Sequence, residues 1–330
     1  MSTPTLPSVV VAGGAGYIGS HMVRMLAENG FRPVVIDNLA TGHAEAVGDA
    51  ILRRGDIGDS AFVTDMLQEF RPACVMHFAA ASLVGESVVA PAKYWRNNLV
   101  QTLSLLDTML ACDVRQFIFS STAAVYGDPV QVPMTELHPR QPINPYGQSK
   151  LAVENALADY DKAYGLRSIT FRYFNAAGAH PDGSLGELHE PETHLIPLVL
   201  QVASGHRQVI ARFGSTFQTR DGSCIRDYVH VQDLCDAHLL ALRKLGTGAQ
   251  STVYNLGNGE GHSVTEVIEA ARRVTGHPIP LRDDPPRAGD PPVLVADAAR
   301  ARSELGWAPK YAELDTIIAH AWQWEQRQHR

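Results

Sequence analysis

The sequence is short of several things, and each shortage closes off a class of function. No apolar run approaches the ~20 residues that span a bilayer, so no membrane-embedded part is expected. Only 4 cysteines occur in 330 residues. Cys74, Cys112, Cys224 and Cys235 have neither CxxC spacing nor the pattern of a disulfide ladder, so buried thiols in a reducing cytoplasm are expected. Net charge is −7 with no basic tract, which argues against nucleic acid and anionic lipid as partners. An anionic ligand must therefore be held by local donors. The first seven residues carry no basic stretch ahead of the first strand-like run, so no secretory leader is expected. Internal repeats and low-complexity segments are lacking too, and no metal site is expected.

What is present is ordinary in bulk: 45% hydrophobic and 19% charged residues, as in a soluble globular protein. The length suits a large core in two domains, or one enlarged α/β unit. Apolar β-branched runs at 8–12, 33–37, 51–54, 74–78, 116–121 and 168–173 alternate with helical patterns. Ile18, Met22, Met25 and Leu26 recur at helical spacing, as do Val153, Ala156, Leu157 and Tyr160. That rhythm predicts an α/β fold with a doubly wound parallel sheet covered on both faces. Beyond residue 173 it breaks down. Residues 181–191, rich in Gly, Pro and acid, read as a loop. Helices are predicted at 195–205, 231–245, 263–275, 297–305 and 315–328, with Asp297 capping the fourth and Gly306 ending it. The Pro-rich stretch 282–292 reads as irregular.

Gly13, Gly16 and Gly19 directly follow the first strand and open the first helix. In that setting they allow a tight turn against which a pyrophosphate can meet the helix N-terminus. Asp37 closes the next strand, where a carboxylate accepts hydrogen bonds from an adenosine ribose. Asn38 and Leu39 follow, with no Arg or Lys to hold a 2′-phosphate, so NAD is favoured over NADP. Asp56 and Ile57, after the third strand, are candidates for the adenine edge. Phe78, Ala79 and Ala80 fall at the C-terminal end of the fourth strand, where open α/β sheets place ligands.

Tyr146 and Lys150 lie four apart on one face of a predicted helix, with Asn144 suited to its N-cap and Pro145 to its first position. A free tyrosine has pKa ~10, and bringing it near neutrality takes about 4 kcal/mol, which a neighbouring ammonium can supply. The pairing is common by chance, and an exposed helical pair is its bland alternative. Thr122 closes the fifth strand and could either bond a reacting hydroxyl or merely satisfy backbone. Behind an NAD site the three residues together suggest hydroxyl oxidation, with Tyr146 as base and Lys150 lowering its pKa and holding the nicotinamide ribose.

These motifs resemble the extended short-chain dehydrogenase/reductase family, and within it the UDP-hexose 4-epimerases. The likeness runs nearly end to end. It covers Gly-Gly-Ala-Gly-Tyr-Ile-Gly-Ser-His at 13–21, Asp-Asn-Leu at 37–39, Gly-Asp-Ile at 55–57 and His-Phe-Ala-Ala at 77–80. It continues through Val-Gly-Glu-Ser at 84–87, Ser-Thr-Ala-Ala-Val-Tyr-Gly at 121–127, Asn-Pro-Tyr-Gly-Gln-Ser-Lys at 144–150 and Arg-Tyr-Phe-Asn-Ala-Ala-Gly at 172–178. The second half adds Asp-Gly-Ser-Cys-Ile-Arg-Asp-Tyr-Val-His-Val at 221–231, Tyr-Asn-Leu-Gly at 254–257 and Arg-Ala-Gly-Asp at 287–290.

The resemblance implies a reaction without net redox change. Tyr146 deprotonates the sugar 4′-hydroxyl while tightly held NAD⁺ takes hydride from C4. The 4-keto sugar swings about its pyrophosphate, and hydride returns to the other face. Implied NAD contacts are Tyr17, Ile18, Asp37, Asn38, Asp56, Ile57, Phe78, Ala79, Asn97, Tyr146, Lys150 and Phe174. Implied substrate contacts are Thr122, Tyr146, Asn175, Leu195, Phe213, Arg226 and Arg287. A guanidinium fork suits a pyrophosphate, although surface arginines are the plainer reading of the last two. Some members carry Lys at the position of Ser82, a ribose contact that this chain lacks and that bears on cofactor retention.

Dehydratase relatives place an acid–base pair directly after the threonine, and decarboxylases place a Glu nearby. Ala123 and Ala124 fill that stretch here, which favours epimerisation. A net dehydrogenase and a silent NAD-binding regulator are the remaining alternatives. Leu294, at the position that sets room beside the sugar, is intermediate in volume; one apolar position discriminates by only ~1–3 kcal/mol. UDP-glucose/UDP-galactose ranks first, then UDP-N-acetylhexosamine, then UDP-xylose/arabinose, with UDP-glucuronate behind.

The family fold implies an NAD-binding Rossmann domain over 1–175, rejoined by segments near 226–258. A substrate domain occupies most of 176–330, with the ligand cleft between the two. Homodimerisation through the helices around 100–112 and 149–164 is the family habit. Leu103, Leu105, Leu106, Met109 and Leu110 on the first of these suit an interface or a core equally.

Overall fold

The computed structural model describes residues 6–287 and 290–328. Ala288 and Gly289, inside the 287–290 motif, lie outside them. The chain divides into two compact units. The first comprises the chain through Gly127, Arg140–Arg172 and Cys235–Tyr254; the second holds Asp128–Pro139, Tyr173–Leu234 and the chain from Asn255.

The first unit is built on strands β1 (Ser8–Ala12), β2 (Arg32–Asp37), β3 (Ile51–Arg54), β4 (Cys74–His77), β5 (Gln116–Thr122) and β6 (Arg167–Tyr173). Every residue of β1 is buried, as a central strand covered on both faces requires. Strand order is β10-β6-β5-β4-β1-β2-β3, with β10 at Thr252–Leu256. The chain runs outward from β1 in one direction through β2 and β3, and in the other through β4 and β5, all in parallel register. The crevice for a ligand in such a sheet opens at that reversal, between the C-terminal ends of β1 and β4.

Helices α1 (Tyr17–Glu28), α2 (Ser60–Phe70), α3 (Val84–Val89), α4 (Pro91–Tyr94), α5 (Gln101–Ala111) and α6 (Pro145–Tyr164) cover the sheet. The core joins Val10, Val34, Ile36, Phe117 and Phe119 to Met66 and Leu67 of α2, Leu105, Leu106 and Met109 of α5, and Val153 and Leu157 of α6. Leu103 and Leu110 pack against it only partly buried. The apolar stripe of α5 is thus chiefly core. A π-turn over Trp95–Val100 links α4 to α5.

In the second unit, β9 (Ile225–His230) is flanked by β7 (Asn175–Ala177), β11 (Gly261–Ser263) and β13 (Val293–Leu294). Helices α7 (Leu195–Ala203), α9 (Val264–Thr275) and α11 (Leu314–Gln328) pack into one core around Ile196, Val199, Val267, Ile268 and Ile317. Ser263 caps α9 in a reciprocal capping box with Glu266, and Gly276 ends it at φ 71°. Helix α8 spans Val231–Gly246.

Three expectations are corrected. Leu281–Asp284, within the supposedly irregular stretch, forms strand β12, parallel to β8 (Ile210–Phe213). Its charged residues hide any alternation, and Arg212–Asp283 and Arg282–Asp284 ion pairs occupy them instead. Helix α10 runs Ala299–Leu305 with Ala298 at its N-cap; Asp297 sits one residue earlier and accepts Ala299 N–H at 2.8 Å. Residues 128–139, expected in the first domain, cluster with the second unit because Asn255 donates to Met134 O at 2.8 Å and Met134 bridges Ala296. Among the described residues none of the four cysteines forms a disulfide, and no helix is long and apolar enough to cross a membrane.

Candidate active site

The glycine turn is built for backbone proximity. A Cβ on Gly13 would lie 2.5 Å from Ala79 N, and one on Gly19 would lie 2.1 Å from Gly13 O. Gly13 also has φ 79°, which a side chain adopts at a cost. Gly16 has room around it, and as N-cap of α1 it offers no side-chain cap. The first N–H groups of a twelve-residue helix are left for a ligand, and an anion is the group they favour.

Asp37 is buried, its Oδ2 accepting Ala15 N–H at 3.0 Å and Oδ1 accepting Leu39 N–H at 2.8 Å. It ties the glycine turn to the loop after β2 and keeps spare lone pairs. Asn38 is exposed beside it. Asp56 accepts from Gly58 N and from Gln101 Nε2. The Ile57 side chain belongs to the core, so any ligand contact there falls to its main chain. Tyr17, Ile18, Phe78, Ala79 and Ala80 remain partly open around the ends of β1 and β4. These residues fit a dinucleotide: uncapped helix donors for the pyrophosphate, a fixed carboxylate for a ribose.

The reacting groups are brought together by a close approach. Asn144 caps α6 by accepting Gly147 N–H at 2.9 Å, with Pro145 in the first turn. A Cβ on Gly147 would lie 2.4 Å from Ala124 O, so only glycine lets the first turn of α6 press on the turn Ala123–Val125. This brings the Tyr146 phenol near the Thr122 hydroxyl, which opposes the rise that burial imposes on the phenol and itself accepts Ala124 N–H at 3.1 Å. The Tyr94 ring stands edge-on at 6.3 Å.

Sequence reasoning missed the supports of this site. Asn98, in the π-turn, donates to Ser149 Oγ at 3.1 Å and to Ala81 O, while its Oδ1 accepts Ala81 N–H. Ser149 donates to Tyr146 O. A π-turn re-aims side chains at functional positions, and this one presents Asn97 and Asn98. Glu154, one turn beyond Lys150, accepts from Ser121 Oγ at 2.5 Å and takes both Nε and Nη2 of Arg172. Arg172 also donates to the Tyr126 hydroxyl. The i,i+4 spacing of Lys150 and Glu154 is the signal that was available.

Both members of the Tyr146–Lys150 pair are buried, and burial dominates the state of each. Burial raises the phenol above its ordinary value, and the Thr122 hydroxyl is what opposes that rise. Burial likewise lowers Lys150 to about 7 against the upward pull of Glu154. Its Nζ donates to Ser120 O at 2.9 Å and lies 4.9 Å from the Phe119 ring centroid.

The second unit gathers its candidates around β9. Arg226 on that strand donates to Pro291 O and Asp290 Oδ1, and is paired in register with Leu294. The Arg287 guanidinium sits 3.9 Å from the Phe213 ring centroid, a cation–π contact. Cys224 is raised by burial while both arginines oppose the rise, which places them around one thiol. Asn175 is exposed at the start of β7, Leu195 begins α7, and Phe174 donates its N–H to Leu256 O.

Sheets wound this way with a phenol and an amine on one helix belong to dinucleotide-dependent enzymes that act on hydroxyl groups. This chain belongs to the NAD dependent epimerase/dehydratase family, whose model matches residues 9–257. It is 52% identical to a UDP-glucose 4-epimerase of Halalkalibacterium halodurans, covering 97% of this chain and 96% of that one. Among solved structures it resembles UDP-glucose 4-epimerase from Brucella ovis in complex with NAD, at TM-score 0.94 and 48% identity over 96% and 97% of the two chains. The Bifidobacterium longum UDP-glucose 4-epimerase in complex with NAD+ and UDP matches at TM-score 0.92 and 37% identity, over 98% and 99%.

Proposed function

We propose that this chain is an isomerase that interconverts UDP-glucose and UDP-galactose by epimerising C4 through a transient 4-keto sugar. The observation that carries this reading is the buried Tyr146 phenol close enough to Thr122 to feel its hydroxyl, with no acid in the Ala123–Val125 turn behind it. It stands in a chain about half identical, over nearly its whole length, to a UDP-glucose 4-epimerase.

NAD, when bound, supplies reversible oxidation at the sugar carbon. The protein handles the proton. Thr122 orients the substrate hydroxyl, and Tyr146 accepts its proton and later returns it. Burial holds the phenol above its ordinary value, so positive charge, from Lys150 and from the bound cofactor, is what would favour its ionisation. Lys150, lowered to about 7, is a hydrogen-bond donor at a ribose as much as a fixed charge. Gly13, Gly16, Gly19, Tyr17, Ile18, Asp37, Asn38, Asp56, Ile57, Phe78, Ala79, Ala80, Asn97 and Phe174 are proposed to hold the cofactor. Asn175, Leu195, Phe213, Arg226, Arg287 and Leu294 are proposed to hold the UDP-sugar, the arginines at its pyrophosphate.

A cytoplasmic homodimer is the proposed setting. With Leu105, Leu106 and Met109 in the core, the exposed Trp95, Val100 and Tyr164 are among the apolar side chains open to a partner near α5 and α6.

The purified chain should convert UDP-galactose to UDP-glucose with no NAD added, and release about one NAD per chain on denaturation. Tyr146→Phe should lower turnover ~10²–10⁴-fold while retaining NAD. Absence of conversion of UDP-galactose, UDP-N-acetylglucosamine and UDP-xylose by the NAD-loaded chain overturns the assignment.

A further inference from the structure

The loop between β7 and α7 carries four side chains that the reaction does not use. Glu187, His189, Glu192 and His194 each offer one ligand atom, and all four atoms lie within 4.8 Å of one another. We propose that this cluster is a structural zinc site that clamps the loop to the start of α7.

The carboxylates are the first reason. Their side chains are only 5% and 7% exposed, and among the described residues no lysine or arginine forms an ion pair with either. Two buried carboxylates held together need positive charge close by. Among the described residues the only ionisable nitrogens that pair with them are imidazoles. His189 Nδ1 lies 3.2 Å from Glu187 Oε1 and 3.8 Å from Glu192 Oε2, and His194 Nδ1 is hydrogen bonded to the same Glu187 oxygen.

The second reason is how the donors are prepared. Glu192 Oε1 already accepts the N–H groups of Thr193 and His194, at 2.6 and 2.8 Å, which fixes the carboxylate and leaves Oε2 toward His189. The Trp324 indole of α11 donates to Glu187 O at 2.9 Å and holds that end of the loop. Ligands oriented by outer hydrogen bonds in this manner are a mark of metal sites.

The donor set selects the metal. Two imidazole nitrogens and two carboxylate oxygens make a four-ligand set, which suits zinc, with bonds of about 2.0–2.2 Å and tetrahedral geometry. Calcium and magnesium require six or more oxygens, which the cluster does not supply. Four protein ligands leave no open position, so the metal is structural. His194 is the N-cap of α7 and makes no side-chain cap hydrogen bond, so a metal on its ring would fix the first turn, where Leu195 lies.

The test uses the untagged full chain with its NAD. After exposure to micromolar zinc and gel filtration in metal-free buffer, elemental analysis should find about one zinc per chain. His189→Ala/His194→Ala should retain less than a tenth of that, while NAD content and circular dichroism report whether it has folded. Glu192→Gln, which keeps the acceptor for Thr193 and His194, should also retain less zinc and serves if the double variant fails to fold. Zinc should raise the Tm of the wild type and not of the variants, and cobalt should give the strong visible bands of a tetrahedral site. Wild type that retains no zinc and shows no Tm response overturns the proposal, as do folded variants that retain as much zinc as the wild type. Epimerase assays run in parallel keep this outcome separate from that of the proposed reaction.

Discussion

Each unit buries carboxylates beside functional residues, and the two balance them differently. In the first, Glu154 faces Arg172, whose guanidinium spans both carboxylate oxygens with side chains 3% and 2% exposed. In the second, Glu187 and Glu192 face imidazoles alone. A guanidinium keeps its proton at any pH a protein meets, so the field beneath Lys150 is permanent. An imidazole can give its proton up, and its nitrogen then becomes a donor to a metal. One arrangement fixes a charge; the other leaves a place that a cation can take.

The comparison breaks most visibly at its strongest bond. Arg172→Met leaves the buried Glu154 with only the exposed Arg140, 3.6 Å away, and the Ser121 hydroxyl, and should cost about 3–5 kcal/mol, measured by urea unfolding. Adding Glu154→Leu should recover most of that loss, since paired apolar replacement of a buried ion pair is often close to neutral. In zinc-free protein Glu187→Gln should cost less than ~2 kcal/mol, because it removes one of two facing carboxylates and the imidazoles can discharge. Equal losses at the two sites would show that guanidinium and imidazole partners do not differ as argued.

The same contrast explains what could be read from the chain beforehand. The glycine turn, Asp37, Thr122, Tyr146 and Lys150 lie at the ends of strands and helices whose periodicities are strong, and local motifs placed them. The fully buried β1 and the capped α6 follow from residues adjacent in sequence. Glu154 left only its spacing from Lys150 as a local signal, because its partners Ser121 and Arg172 come from two other strands. Strand β12 was missed because its charged residues pair sideways rather than alternate. Spacing places an amine near a phenol but says nothing of burial, which lowers the one and raises the other. Residues 181–191 read as a loop, yet the four ligand-type residues that begin within it give no periodic signal.

Lys150 sharpens the comparison through pH. Its folded value of about 7 lies below the ordinary lysine value of 10.5. Between those limits the unfolded chain binds more protons than the folded one, so stability rises with pH from about 7 toward 10.5. Cofactor-stripped wild type should therefore gain up to ~3 kcal/mol more than Lys150→Met between pH 7 and 9.5. Parallel urea midpoints for the two proteins across that range would mean Lys150 is not held in a desolvated state.

The smallest effect concerns the permanent charge itself. Glu154 pulls Lys150 upward, against burial. Glu154→Gln keeps an acceptor for Ser121 and Arg172 and removes the charge, so Lys150 should lose its proton at lower pH. If a protonated Lys150 supports turnover, the alkaline limb of kcat for the NAD-loaded enzyme should move to lower pH, with a severalfold loss near neutrality and little change in KM. A merely structural role for Glu154 would lower stability and leave that limb where it was. An unmoved limb in a stably folded variant would assign the charge on Glu154 to packing Arg172 rather than to setting the state of Lys150.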